Sequence, residues 1–326
     1  MNGAPAWIAV DWGSSNLRAW ALDEDDHVIA QTGSPRGMLG LAPEAFEGAL
    51  LEVIADWLPP SGEAPLPVLV CGMAGSRQGW VEAAYLRLDD TPGDLLDRLA
   101  SRLAPVTTQD SRLRVRIVPG LCQHQDSLGD DAFDVMRGEE TQLAGLIAKR
   151  ATFSGAVCLP GTHAKWARLE DGNIAGFTTF MSGELFKLLR HDSVLKHSLR
   201  GDDPDDAAQR AAFLAGLDAA LAAPGQLSAE LFGIRARDLL DTRLPQDDTR
   251  GARLGARLSG LVLGLELAGA TADLPAGSQV VLIGEETLCR RYQIALEHLG
   301  FAVSLEANAE MVLAGLGHIR HLSATP

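Results

Sequence analysis

Two stretches of this 326-residue chain, 148 residues apart, pass from an apolar strand straight into a glycine followed by hydroxyl side chains. Val10-Asp11-Trp12-Gly13-Ser14-Ser15 stands over Cys158-Leu159-Pro160-Gly161-Thr162-His163. The surroundings match as well. Strand signals at Trp7 to Asp11, Leu17 to Leu22 and Val28 to Gln31 open the first half, with the acidic turn Asp23 to Asp26 between the last two. Ala156 to Leu159, Lys165 to Leu169 and Ile174 to Phe180 open the second, with a turn at Asp171-Gly172. A three-strand meander that occurs twice, each time followed by helices and further strands, predicts two α/β domains of similar build. The length, at roughly 100 to 200 residues per domain, agrees.

The first half continues with an amphipathic helix over Pro43 to Leu58, ended by Pro59-Pro60, and a buried strand at Val68 to Cys71. A glycine-rich loop, a helix near Asp94 to Leu103 and a strand at Val115 to Val118 complete a β-β-β-α-β-α-β series. In the second half the pattern predicts a helix over Gly183 to His191, a helical stretch from Asp205 to about Leu244 and a long helix near Arg253 to Ala272. Strand Gln279 to Ile283, helix Thr287 to Leu299, strand Ala302 to Leu305 and a last helix from Ala309 follow. Asp131 to Gly138 is the best boundary, giving domains 1–137 and 138–326, with helix Glu139 to Lys149 bridging it.

Charge narrows the partners. With 28 basic and 43 acidic residues the net charge is −15, which disfavours a broad attraction to nucleic acid or anionic membranes. Any anionic ligand must meet a local basic pocket, and Arg77, Arg137, His163 and Lys165 lie beside the glycine-rich motifs. The most apolar stretch, Leu258 to Ala272, contains Glu266 and falls short of a membrane span. Met1 to Val10 lacks the features of a signal peptide. Cys71, Cys122, Cys158 and Cys289 form no zinc or redox spacing and read as buried thiols in a reducing compartment, so the expected location is the cytoplasm. The oligomeric state stays open, a homo-oligomer included.

The motifs point to phosphate chemistry. Asp11 ends a strand, and Gly13, Ser14 and Ser15 form a turn whose backbone and hydroxyls can donate to a phosphate while the carboxylate holds hydrated Mg2+. An ordinary hairpin has the same composition, but Gly161-Thr162-His163-Ala164-Lys165 offers a second such turn with basic groups and no aspartate. Two half-sites of this kind suit one polyphosphate. Glu139 and Glu140 fall in the first turn of a helix, where acidic residues are common; their place at the domain junction makes either a candidate general base. Neither a Walker loop nor a GxGxxG turn after a strand occurs.

The paired turns resemble the sugar kinase, heat-shock cognate and actin-like ATPase superfamily, in which two duplicated ribonuclease-H-like domains close over ATP. More specifically, Asp11 to Arg18, Cys71 to Ser76 with Gly79-Trp80 and Tyr85, Pro119 to Cys122, Met136 to Gln142, Pro160 to His163 with Lys165-Trp166, and Met181 to Leu185 are similar to the 2-dehydro-3-deoxygalactonokinase family. The resemblance implies an actin-like α/β fold with a cleft between its domains, the first on the sugar-acid side and the second on the adenosine side. It implies ATP- and Mg2+-dependent phosphorylation of 2-dehydro-3-deoxy-D-galactonate at O6 in galactonate or galactose catabolism. Gly75, Ser76, Trp80, Tyr85 and Arg137 then become sugar-acid residues; position 77 carries no fixed residue in the family, but by its charge Arg77, or failing that backbone donors around Gly75 and Ser76, is expected on the carboxylate, with Lys165 nearer the phosphates. Gly284, after strand Val280 to Ile283, matches the superfamily's adenosine-binding strand-Gly-helix. A phosphate-cleft hydrolase or a nucleotide-driven interaction protein of the same fold is the competing expectation.

Overall fold

The computed structural model describes residues 4–88, 95–125, 132–201, 203–247 and 249–324. Asp94 and Asp131, where an expected helix and the expected boundary begin, lie outside them. Strands β1 (Trp7–Trp12), β2 (Leu17–Leu22) and β3 (Val28–Ser34) form the antiparallel meander that their alternation predicts. Helix α1 (Phe46–Ile54), extended by 3-10 turns at both ends, leads to β4 (Leu66–Gly72), which pairs parallel with β1. After the two-residue β5 (Leu86–Arg87) come α2 (Leu95–Ser101), the edge strand β6 (Ala104–Pro105) and β7 (Leu113–Ile117). The sheet runs β3-β2-β1-β4-β7-β6. Alternate residues Ile8, Val10 and Trp12 of β1 face Phe46, Leu50 and Ile54 of α1 in one core. Each such fully buried side chain contributes roughly 1.5–3 kcal/mol.

Strands β8 (Leu121–Gln125) and β9 (Ala132–Met136) are antiparallel and join β5 in a separate three-stranded sheet. Most of the stretch expected to be a boundary is therefore a strand. Its alternation was masked because Phe133 and Val135 are exposed and Asp134 lies between them. Helix α3 (Glu139–Lys149) follows at once.

The second meander is β10 (Gly155–Leu159), β11 (Ala164–Glu170) and β12 (Asn173–Phe180), the last two joined by Asp171-Gly172 with positive φ at both residues. Helices α4 (Ser182–His191), α5 (Ala207–Ala222), α6 (Leu227–Leu240) and α7 (Thr249–Ala270) come next, α5 and α6 being separated at Pro224, whose ring cannot continue a helix. Strand β13 (Gln279–Gly284), α8 (Glu286–His298), β14 (Ala302–Ala307) and α9 (Asn308–Ala324) complete the chain. The sheet order β12-β11-β10-β13-β14, with β10-β13-β14 parallel, repeats the β3-β2-β1-β4-β7 order of the first sheet. That shared order is the ribonuclease-H-like arrangement, present twice.

The chain divides into two compact units. The first holds the residues up to Ser154 together with Leu169–Phe177 and the chain from Asn308; the second holds Gly155–Arg168 and Thr178–Ala307. Position 137/138 thus falls inside the first unit, because α3 packs against the C-terminal α9. Among the described residues no helix is long and apolar enough to cross a membrane.

Candidate active site

In the first unit the site is built where strand ends meet a helix start. Gly72, at the end of β4, has φ +89, and a Cβ there would lie 2.6 Å from the Trp12 carbonyl oxygen. Gly138, with φ +104, caps α3, and its Cβ would stand 3.4 Å from the Gly72 Cα. Two glycines in the left-handed region therefore let the N-terminus of α3 settle against the ends of β1 and β4. The result gathers Asp11, Cys71, Glu140 and Thr141.

Asp11 pairs in register with Cys71, whose Sγ lies 4.0 Å from Asp11 Oδ1. Burial pushes the Asp11 carboxyl up, against the pull of Arg18. Burial, with the charges of Asp11 and Glu140, pushes the Cys71 thiol far above its usual range, so the thiol is neutral. A desolvated carboxylate gains from a cation at its free oxygen. Mg2+ takes one or two carboxylates, keeps several waters and draws its other ligands from phosphate oxygens, so Asp11 fits it. Among the described residues no three His, Cys, Asp or Glu side chains gather as a protein cage.

The turn after β1 is exposed and braced from behind. Gly13 N–H donates to Asn16 O at 2.9 Å, while the carbonyls of Gly13, Ser14 and Ser15 accept from Met38, Leu39 and Gly37 at 3.0, 3.0 and 3.1 Å. The Ser14 and Ser15 side chains stay exposed.

Glu139 and Glu140 separate in role. Glu140 is fully buried; its Oε2 accepts from Gly138 N–H at 2.5 Å and its Oε1 from Thr141 Oγ1 at 3.0 Å. Burial, helped by the neighbouring Glu139 charge, pushes its carboxyl up to about 8. Glu139 is half-buried, and its Oε2 accepts from Arg137 N–H at 3.1 Å. Because the folded state holds the Glu140 proton more tightly than the unfolded chain does, its contribution to stability is full below about pH 4.5. That contribution is lost as pH rises to about 8, at ~1.4 kcal/mol per pH unit. Glu140→Gln cannot ionise there, so its melting midpoint should exceed that of the wild type near pH ~8.5 and match it near pH ~5. Midpoints that run parallel across this range would contradict the assignment.

The loop after β4 sorts the remaining expectations. Gly75 and Ser76 are buried, whereas Arg77 is exposed. Trp80 is partly buried and packs against the core, 6.1 Å from Trp12 and 6.2 Å from Phe46 between ring centroids. Tyr85 is 41% exposed and lies 4.4 Å from the Arg137 guanidinium, which is itself buried.

In the second unit, the Gly161-Thr162-His163 turn rests on the start of α4. Glu184 N–H donates to Thr162 O at 2.9 Å, and His163 Nε2 lies 2.6 Å from Glu184 Oε2. Lys165 is buried and donates to Thr179 Oγ1 at 2.7 Å. Beside the turn lies a cavity of about 310 Å³, lined by Gly161, Thr162, Phe186, Ser259, Leu288 and Arg291 among others. Gly284 is not in that lining. Its missing side chain makes room for Cys289 and Pro160, since a Cβ would sit 3.1 Å from Cys289 Sγ.

Sequence reasoning missed the cavity walls on α4, α7 and α8. It also missed the work of Glu266. This buried carboxylate accepts from Trp166 Nε1 at 2.8 Å and Tyr292 OH at 2.9 Å, tying β11, α7 and α8 together around the cavity. Its desolvated carboxyl is pushed up. The available signal was a single acid inside the apolar run of α7.

Comparison with known proteins gives the family. The family model described as 2-keto-3-deoxy-galactonokinase matches residues 11–319. A protein of Rhizobium meliloti (strain 1021) described as a probable 2-dehydro-3-deoxygalactonokinase is 40% identical over 316 residues, covering 97% of each chain. The 2-dehydro-3-deoxygalactonokinase of Escherichia coli (strain K12) is 36% identical, covering 98% of each. A crystal structure of a Sinorhizobium meliloti protein described under the same enzyme name superposes with a TM-score of 0.84 at 37% identity, covering 98% of this chain and 100% of that one. With its motifs in place from Asp11 onward, this chain belongs to the 2-keto-3-deoxy-galactonokinase family.

Proposed function

We propose that this protein transfers the γ-phosphoryl group of ATP to O6 of 2-dehydro-3-deoxy-D-galactonate, giving the 6-phosphate ester and ADP. The observation that carries this reading is the match to named kinases along 97% and 98% of the chain. The geometry supplies groups for each task. In the first unit the turn after Asp11 offers backbone N–H groups and the Ser14 and Ser15 hydroxyls to phosphate oxygens. In the second unit the turn at Gly161 offers Thr162 and His163, and the cavity beside it takes the nucleoside. Mg2+, when bound through Asp11, neutralises charge on the phosphates.

Glu139 is the better base, because its carboxylate is held by Arg137 N–H and is not enclosed as that of Glu140 is. As O6 attacks the γ-phosphorus, the O6 proton passes to Glu139, the bond to the bridging β–γ oxygen breaks, and ADP leaves with that electron pair. Among the described residues the four cysteines are thiols outside any disulfide, which suits action in the cytoplasm.

A coupled assay of ADP release over a panel of 2-keto-3-deoxy sugar acids tests the reading. Turnover strictly dependent on the galactonate-derived acid is expected, and turnover independent of any acid would refute it. The nucleoside assignment has its own check. Ser259 lines the cavity, and Ser259→Phe should fill it and raise the ATP KM roughly tenfold or more with little change in the sugar-acid KM. Equal changes in both would remove the cavity from the ATP site.

A further inference from the structure

Arg137 is 8% exposed and only partly satisfied. Nη2 donates to Ala83 O at 2.7 Å, but Nε and Nη1 have no hydrogen-bond partner among the described residues. Ser76 Oγ, on a residue 7% exposed, is in the same position. The carboxylate of Glu140 does not answer for them, being engaged by Gly138 N–H and Thr141 Oγ1. Buried donors without acceptors are costly and rare, and such groups call for an acceptor that arrives from outside.

Gly75 and Tyr85 flank the guanidinium. A Cβ on Gly75 would lie 2.8 Å from Arg137 Nη1 and 2.9 Å from Ile117 Cγ2, so only a glycine lets the loop pack directly against the guanidinium. The ring of Tyr85 covers one face of the guanidinium at 4.4 Å and is itself 41% exposed, so only this ring stands between that face and solvent. Through its own N–H, Arg137 also holds Glu139 Oε2. The base and the cation thus belong to one short segment, with the guanidinium carried away from the base along the arginine side chain.

We propose that Arg137, assisted by Ser76 Oγ and covered by Tyr85, receives the carboxylate of the 2-oxo sugar acid and thereby selects acids over neutral sugars. This rests on the kinase reading above and replaces Arg77, which is exposed and gains less from pairing with an anion. A planar guanidinium in a water-poor site is the better partner for a planar carboxylate. With the acid end held there, the far hydroxyl of the carbon chain is free to reach Glu139.

The experiment compares the sugar acid with its carboxamide as substrates of the wild type, Arg137→Lys, Ser76→Ala and Arg77→Met, with melting midpoints as the check on folding. For Arg137→Lys the sugar-acid KM should rise roughly 30-fold or more, the ATP KM should stay within about threefold, and the preference for acid over amide should shrink by a similar factor. A folded Arg137→Lys with unchanged acid preference, or a loss of that preference in Arg77→Met instead, overturns the proposal. If Arg137→Lys does not fold, Ser76→Ala decides. A sugar-acid KM raised about threefold or more supports the site, and an unchanged one overturns it. Wild-type protein that phosphorylates neither compound refutes the kinase reading together with this one, whereas wild-type turnover with unaltered variants refutes this one alone.

Discussion

Asp11→Asn is expected to lower turnover by about 10³-fold or more while the protein stays folded. Asp11 sits at the end of β1 beside the neutral thiol of Cys71, and burial has already pushed its carboxyl up. The sign of that shift matters. A carboxyl with a raised pKa in the folded state stabilises the fold most when it is protonated, and this contribution is lost as pH rises through the folded pKa. An ionised Asp11 therefore costs the fold something, and the neutral amide should be at least as stable at neutral pH. Function accounts for a charge kept at such a place. Melting midpoints measured with ATP alone and with ATP plus Mg2+ provide a readout besides rate. The metal-dependent increment should vanish in the variant while the increment from ATP alone persists. Near-normal turnover at saturating Mg2+ would remove Asp11 from the site.

Glu139→Gln should lower kcat by roughly 10²-fold or more, the usual worth of a positioned general base, with a much smaller effect on the ATP KM. The neighbouring Glu140→Gln should cost far less, because its carboxyl is enclosed and its oxygens are taken up by Gly138 N–H and Thr141 Oγ1. Affinity for Glu140's own proton does not argue otherwise: a base must reach the hydroxyl that it deprotonates before its pKa matters. A large loss in Glu140→Gln with none in Glu139→Gln would exchange the two roles. No loss in either would place the base elsewhere.

Local pattern made much of this legible. The two meanders show in their alternation and turn residues, and α3 shows in its apolar spacing after a glycine. Those signals involve neighbours in sequence, which is why they survive without a structure. What depends on distant partners did not show. The sheet of β5, β8 and β9 contains a two-residue strand and exposes Phe133 and Val135, so neither length nor burial pattern marks it. The place of α9 in the first unit rests on its packing against α3, more than a hundred residues earlier. Trp80 and Arg137 show the same limit at the site. An aromatic ring in a glycine-rich loop reads equally as a ligand platform or as core, and only the structure shows that Trp80 packs on Phe46. Arg137 reads as one basic residue among several until its unpartnered nitrogens are seen.

Phosphorus–proton correlation NMR of the reaction products tests the central claim most directly. With wild-type protein, MgATP and 2-dehydro-3-deoxy-D-galactonate, one new phosphate monoester coupled to the C6 protons is expected, formed in step with ADP. Inorganic phosphate released at the same rate with or without the sugar acid, or an ester coupled to protons at any other carbon, would contradict it.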